Sequence, residues 1–405
     1  MEPLPDPGRT PPGRVLVVAP EPFYVDRGTP ICVRQVLEAL AQLGYEVDLL
    51  TYPLGEEIEI PGVRLIRSSN PFRISNVPIG FSIRKLLLDS SLFPRLRSLM
   101  SSGRYGVVHA LEESGFAAAY WGKRFGVRVI YDMHSSMAEQ MGALPLFRNR
   151  WCRALFRRAE RWLLERATQV VSSAGLATRV RSLAPRARTT EWRFASEAEP
   201  VDPAEVAALR KSLDISPDQR IVLYSGTFER YQGLTVLLKA IARVQASNPE
   251  AVFLLIGVDG ERAATRIQHL AHHIPGNRLR LIRRQPRRSI PTWLALADIL
   301  VSPRLFGGNL PLKVFDYMAA GRPIIATDIP SHRSVLTEER AVLVPPESDA
   351  LADAISGLLR DPERGRRLAE TAQAYAREHL AWSGFVLSVS KLYSAAEPQD
   401  RGPVR

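Results

Sequence analysis

Short runs of β-branched and aliphatic residues alternate with longer amphipathic stretches from Val15 to Val344. In the first half the apolar runs predict strands at Val15–Ala19, Val47–Thr51, Val63–Ile66, Val107–Ala110, Val127–Tyr131 and Gln169–Ser172. In the second half they predict strands at Ile221–Tyr224, Val252–Gly257, Leu279–Ile282, Ile299–Ser302, Pro323–Ala326 and Ala341–Val344. Strands that alternate with helical stretches signal parallel sheets covered by helices, because a parallel pair needs a crossover. The two sets of strands read as two doubly wound, Rossmann-like α/β domains facing across a cleft. The acidic, proline-containing stretch Ala195–Pro203 lacks periodicity and predicts the boundary, with a helix from Val201 to Leu213 opening the second domain. Residues 1–13 and 396–405 are polar or proline-rich and predict frayed ends.

A length of 405 residues suits two domains rather than one core. Apolar residues at 45% and charged residues at 24% are ordinary globular values. Neither a signal peptide nor a membrane-spanning run is expected. Cys32 and Cys152 lie far apart with no metal-ligand spacing, which predicts a reduced, cytoplasmic protein. A net charge of +12 favours an anionic partner: a nucleotide-sugar, an anionic lipid surface or nucleic acid. Nucleic acid is disfavoured, because no helix-turn-helix, zinc-finger or aromatic–basic signature accompanies the charge.

In open α/β sheets, ligands bind outside the carboxyl ends of the strands, so the loops there carry the chemistry. After the first strand, Gly28-Thr29-Pro30 reads as a close-approach glycine, an N-cap and an N1 proline; a helix start of this kind attracts anions. After the fifth strand stands Asp132-Met133-His134, where His134 could orient a hydroxyl or carry a proton; a lone loop histidine is also commonly just a satisfied side chain. The first strand of the second half runs into Ser225-Gly226-Thr227-Phe228-Glu229-Arg230-Tyr231-Gln232-Gly233, a glycine-bounded loop suited to phosphate. It is not a Walker loop, and the next strand's end, Ile256-Gly257-Val258-Asp259-Gly260, lacks the third glycine of a dinucleotide fingerprint. The most specific segment is Ser302–Asp328, a strand, a glycine loop and a helix with Pro311 near its start. Lys313 and Asp316 there share a helix face, where a cation can meet phosphate and a carboxylate a ribose diol. The plain alternative is a surface ion pair at a helix start.

Together these segments resemble the retaining GT-B glycosyltransferases of family 4 over nearly the whole chain. The strongest block is Lys313-Val314-Phe315-Asp316-Tyr317-Met318-Ala319-Ala320-Gly321, followed by Pro323-Ile324-Ile325-Ala326-Thr327-Asp328. Gly28-Thr29, Leu43-Gly44-Tyr45-Glu46-Val47, Asp132–His134 and Ser172-Ser173-Ala174 also match. Trp382-Ser383 lies where the family's closing helix returns to the first domain. The resemblance implies an acceptor-side domain at 14–195, a nucleotide-sugar domain at 196–380 and a closing helix at 381–395. The chain departs from the pattern at three donor positions. Gly308 replaces the first of two glutamates, with Asp316 at the second, and Thr227 and Gln232 replace an arginine and a lysine.

The resemblance implies transfer of a sugar with retention from a nucleotide-sugar co-substrate, with no cofactor and no metal, and the sequence holds no Asp-x-Asp motif. Gly28, Thr29, Gly226, Thr227, Arg230, Gln232, Asn309, Leu310, Pro311, Leu312, Lys313 and Asp316 would hold the donor, with Arg230 and Lys313 on the diphosphate. His134 would lie beside the donor sugar and a glycan or lipid-linked acceptor. The altered positions keep two rivals open: a GT-B protein that binds without turnover, and a nucleotide-sugar epimerase. From the residues alone, Leu146–Arg166 sets Phe147, Trp151, Leu155 and Trp162 at helical spacing among seven arginines. That composition predicts a peripheral place on an anionic membrane face, or else tryptophans packed into the domain.

Overall fold

The computed structural model describes residues 13–25, 28–78, 80–143, 147, 149–196, 200–258, 261–272, 274–307 and 312–396. The chain divides into two compact units: Met1–Phe194 with Ser383–Arg405, and Ala195–Trp382.

The first unit is built on a seven-stranded sheet with β1 at Val15–Ala19, β2 at Val47–Thr51, β3 at Val63–Arg67, β4 at Val107–Leu111, β5 at Arg128–Met133, β6 at Gln169–Ser172 and β7 at Thr189–Glu191. Its order is β3-β2-β1-β4-β5-β6-β7, and every neighbouring pair is parallel. The central strands are buried on both faces, so they read as continuous apolar runs such as Val15-Leu16-Val17-Val18-Ala19. β7 was not anticipated. Thr189-Thr190-Glu191 is a short, partly exposed edge without an apolar pattern, and only its pairing with Val170–Ser172 makes it a strand.

The second unit carries a six-stranded parallel sheet with β8 at Arg220–Ser225, β9 at Ala251–Val258, β10 at Leu279–Arg283, β11 at Ile299–Ser302, β12 at Ile324–Thr327 and β13 at Val342–Val344. The order is β10-β9-β8-β11-β12-β13. Both halves are therefore Rossmann-like and doubly wound, as expected. In each sheet the winding direction reverses beside the first strand, between β1 and β4 and between β8 and β11. The loops leaving the two strands at such a point run to opposite faces and leave a crevice, which is where a ligand belongs.

The helices cover the sheets with one apolar face each. The helix Leu234–Ser247 buries Leu234, Leu237, Leu238, Ile241 and Val244, spacings of three and four that keep one side on the sheet. The closing helix Trp382–Ala396 belongs to the first unit, where it buries Phe385, Val389, Leu392 and Tyr393. Phe385 meets the Trp192 ring at 5.5 Å, and the Tyr393 hydroxyl lies 2.7 Å from His109 Nδ1. The helix predicted at Val201–Leu213 spans Pro203–Ser212, capped by the Asp202 carboxylate on Ala204 N–H. Among the described residues no helix is long and apolar enough to cross a membrane.

Candidate active site

Each unit gathers polar side chains at its own switch point. In the second unit, β8 ends at Ser225 and the chain turns through Gly226 at φ 147°. A short 3-10 turn at Arg230–Gln232 follows, and Gly233 at φ 75° opens the helix Leu234–Ser247. These glycines are required by close backbone approach. A Cβ on Gly233 would fall 1.8 Å from the Pro303 carbonyl oxygen, and one on Gly257 would fall 2.0 Å from the Gly226 oxygen. Gly233→Ala is therefore expected to destabilise the second unit by at least ~1–3 kcal/mol, through the left-handed backbone and the clash together. A melting temperature equal to that of the parent protein would contradict this tight approach. The two switch-point loops are also tied directly, Leu305 N–H donating to the Tyr231 carbonyl at 2.9 Å.

Two basic side chains stand at these loops, Arg304 buried and Lys313 half-buried. Arg304, 4% exposed, stands two residues past the end of β11. Its Nε donates to the Phe306 carbonyl at 2.9 Å, and its guanidinium carbon lies 5.1 Å from the Tyr231 ring centre. Lys313, on the helix Leu312–Ala319, donates from Nζ to Gln232 Oε1 at 3.0 Å and stands 4.0 Å from the Tyr224 ring centre. Burial, followed by repulsion from Arg304, holds the Lys313 ammonium well below its ordinary pKa. His332, fully buried, sits 3.0 Å from Ser302 Oγ and 2.7 Å from the Thr327 carbonyl. Burial, with Lys313 and Arg304 nearby, pushes it down to about 4, so at neutral pH it is an uncharged wall. Like charges that repel in this way are stabilised by an anion between them.

Several of the residues read from sequence have partners the sequence did not suggest. Gln232 is buried and holds Lys313. Arg230 lies exposed on its turn, and the charge near Lys313 comes from Arg304 instead, which sequence analysis passed over. Its signal was its place, two residues past a predicted strand end. Thr227 offers its carbonyl to the Tyr224 hydroxyl at 2.6 Å, and Gly226 lies beside Lys313 Nζ. Lys313 and Asp316 share a helix but not an ion pair. Asp316 is gripped by both terminal nitrogens of Arg287, at 2.6 Å each, and accepts from Ser196 Oγ at 2.8 Å. Leu312 is half-buried at the helix start. Asn309, Leu310 and Pro311 lie outside the described residues.

In the first unit, Gly28 and Thr29 open the helix Gly28–Gln42. The helix begins at Gly28, so Thr29 and Pro30 sit inside its first turn rather than at N-cap and N1. β5 runs two residues beyond its predicted end because its pairing continues to Met133↔Ser172. This puts Asp132 in the strand, with His134 immediately after it. His134 Nε2 lies 3.0 Å from Asp132 Oδ2, and His109 Nε2 approaches the same oxygen at 3.3 Å. Burial opposes every charge here. Even so, the His134 charge and the two histidine hydrogen bonds hold Asp132 far below the usual carboxylate range. Against its own burial, His134 is raised to about 9 by the Asp132 charge and hydrogen bond, so the pair is an imidazolium–carboxylate at neutral pH.

Glu112 lies against Ser135, the residue after His134. It follows β4 in a left-handed conformation, φ 48°, which a residue without glycine's freedom holds only when its surroundings fix it. The cross-strand bond from Glu112 N–H to the Asp132 carbonyl and the turn from Gly115 N–H to the Glu112 carbonyl provide that fixing. Ser135 Oγ lies 2.8 and 3.0 Å from its two carboxylate oxygens. Next to it, Glu113 pairs with Lys85 of the helix Ile83–Met100.

Comparison with known proteins agrees with this architecture. Residues 27–192 match a glycosyl transferase 4-like domain, and residues 205–375 match glycosyl transferases group 1. A phosphatidyl-myo-inositol mannosyltransferase of Mycobacterium leprae is 24% identical over 94% of this chain and 96% of its own. A D-inositol 3-phosphate glycosyltransferase of Xylanimonas cellulosilytica is 30% identical over 51% of this chain and 49% of its own. Among solved structures, sucrose-phosphate synthase from Thermosynechococcus elongatus superposes with a TM-score of 0.78 at 23% identity, covering 95% of this chain and 98% of that one. Anabaena HepE in complex with UDP-glucose gives 0.76 at 16% identity, covering 94% and 99%. Two doubly wound units, a closing helix on the first of them, and matches that span both halves lead to one assignment: the chain belongs to the GT-B glycosyltransferases of family 4.

Proposed function

We propose that the protein transfers a sugar, with retention and without a metal, from a nucleotide-sugar bound by the second unit to a glycan or lipid-linked acceptor bound by the first. The observation that carries this reading is the pair of basic side chains at the β8–β11 switch point, the buried Arg304 and the half-buried Lys313. A diphosphate there would neutralise both cations, and the same charges would stabilise it as a leaving group. Gly226, Thr227 and the start of the helix at Leu312 supply backbone around it, and Asp316 stands ready for a ribose hydroxyl while Arg287 orients it. Gly28, Thr29 and His134 serve the first-unit side. The relatives' names, a phosphatidyl-inositol mannosyltransferase and an inositol-phosphate glycosyltransferase, favour an acceptor carrying an inositol or lipid group.

A place at a membrane surface fits the first unit. The helix Arg150–Arg166 buries only Glu160, Leu163 and Leu164 and leaves Trp151 73% exposed. Trp162 instead stacks on Phe116 at 6.3 Å, so the two tryptophans have different tasks. Phe147 joins this helix, through Phe156, to Phe81, next to the exposed Ile83 and Leu86 of the neighbouring helix. Leu146 and Arg148 lie outside the described residues.

The test is a thermal-shift screen of UDP- and GDP-sugars, with nucleoside diphosphate release measured on those that bind. A true donor present at ~100 times its Kd raises stability by ~2.7 kcal/mol. Release should persist in EDTA, since on this reading Arg304 and Lys313 supply the positive charge for the diphosphate. Loss in EDTA with recovery on adding magnesium or manganese would reject the metal-free mechanism. Binding without release from any donor would favour a protein that holds nucleotide-sugar without turnover.

A further inference from the structure

We propose that His332 and Thr327 are positioning residues that hold Arg304 where it can meet the diphosphate of the donor, a role that rests on the donor reading of the second unit above. Three side chains at and just after the carboxyl ends of β11 and β12 form one hydrogen-bonded chain that ends on the Arg304 backbone. His332 Nδ1 lies 2.7 Å from the Thr327 carbonyl, which can only accept, so this nitrogen carries the proton. Burial first, with Lys313 and Arg304 nearby, keeps the ring uncharged at neutral pH, and Nε2 is then an acceptor. The Ser302 hydroxyl, 3.0 Å away, therefore donates to it. The Thr327 hydroxyl donates in turn to the Arg304 carbonyl. Ser302, Thr327 and His332 are all fully buried, so water does not compete for these bonds.

The end point of the chain gives it a task. The peptide that joins Arg304 to Leu305 is gripped at both of its polar groups: the Leu305 N–H donates to the Tyr231 carbonyl at 2.9 Å, and the Arg304 carbonyl accepts from Thr327. Thr327 can serve as an anchor because it closes β12 and is paired with Val344. His332 holds Thr327 from the far side, carried by the short helix Pro330–Arg333, whose Arg333 is fastened to Asp328. The Arg304 side chain has supports of its own in the Phe306 carbonyl and the Tyr231 ring. Gly307 lets the loop pass beside them, since a Cβ there would fall 2.2 Å from Arg304 Nη2. With the main chain and the side chain both set, the diphosphate meets an arginine that needs no further ordering, which strengthens binding without a new contact. An uncharged histidine suits the place, because it donates and accepts at once and adds no third positive charge behind Arg304 and Lys313.

The experiment is calorimetric titration of the full chain with UDP and GDP beside uridine and guanosine, with a melting curve for every variant. Thr327→Val removes the hydroxyl and keeps the shape, and should weaken nucleoside diphosphate binding by about 10-fold while sparing the nucleoside. Thr327→Ser restores the hydroxyl and should recover most of the loss. His332→Leu should lose affinity in the same pattern, and His332→Asn, which keeps an N–H donor close to the place of Nδ1, should retain more of it. Equal weakening of diphosphate and nucleoside would mark a merely structural role and overturn the proposal. So would Thr327→Val with the parent's diphosphate affinity beside an impaired Arg304→Gln. If Thr327→Val fails to fold, equal diphosphate affinity in His332→Leu and His332→Asn overturns it instead. If Arg304→Gln binds as the parent does, or the parent binds neither UDP nor GDP, the donor reading of this site fails and takes this one with it.

Discussion

Arg304→Gln is expected to weaken nucleoside diphosphate binding by roughly 10- to 100-fold, because a charged hydrogen bond contributes ~1.5–3 kcal/mol. Lys313→Ala should do the same, and Arg230→Ala should change little. The ranking follows from burial. Arg304 is 4% exposed, so its charge acts in a poorly screened pocket, whereas Arg230 lies on the exposed side of its turn. Arg304→Lys keeps a charge but loses the planar fork and its place over the Tyr231 ring, so it should recover only part of the loss. The measurement is calorimetric titration with UDP and GDP beside the parent nucleosides. Nucleoside binding should be spared in every variant, since on this assignment the cations meet the diphosphate. If Arg304→Gln binds UDP and GDP as the parent does while Arg230→Ala does not, the anion site lies on the turn and the assignment is wrong. A melting curve without ligand separates lost affinity from lost folding.

The second large effect concerns the lipid surface. The double variant Trp151→Glu, Leu155→Glu should abolish co-sedimentation with liposomes containing phosphatidylglycerol and leave donor binding intact. Full burial of each apolar side chain is worth ~1.5–3 kcal/mol, so losing two lowers partitioning by about 100-fold or more. Trp162→Glu would instead damage the first unit, because Trp162 stacks on Phe116 and its ring also carries Arg166 at 4.7 Å. Equal, negligible binding of the parent protein to anionic and neutral liposomes at low salt would leave this face to some other role.

The apolar periodicity of the chain determined the two α/β sheets and nearly all their strands. Central parallel strands are buried on both faces, so they must be apolar along their whole length, and Val15–Ala19 and Ala251–Val258 announce themselves. Periodicity could not announce β7, because an edge strand such as Thr189–Glu191 is made by its partner rather than by its own composition. The motif around Lys313 and Asp316 was also legible, since a glycine loop running into a helix has a local signature. Their partners were not. Asp316 faces Arg287, twenty-nine positions away, and Lys313 faces Gln232, eighty-one away. Helix spacing alone put both on one face and left a surface pair between them as the plain alternative. Tertiary packing likewise chose Arg304 over Arg230 for the buried charge, because an arginine becomes a site residue through what encloses it, and enclosure comes from distant loops. Glu112 followed the same rule. In sequence it is one of two adjacent glutamates after a strand; its left-handed backbone, its serine partner and its raised pKa exist only where β4 and β5 lie side by side.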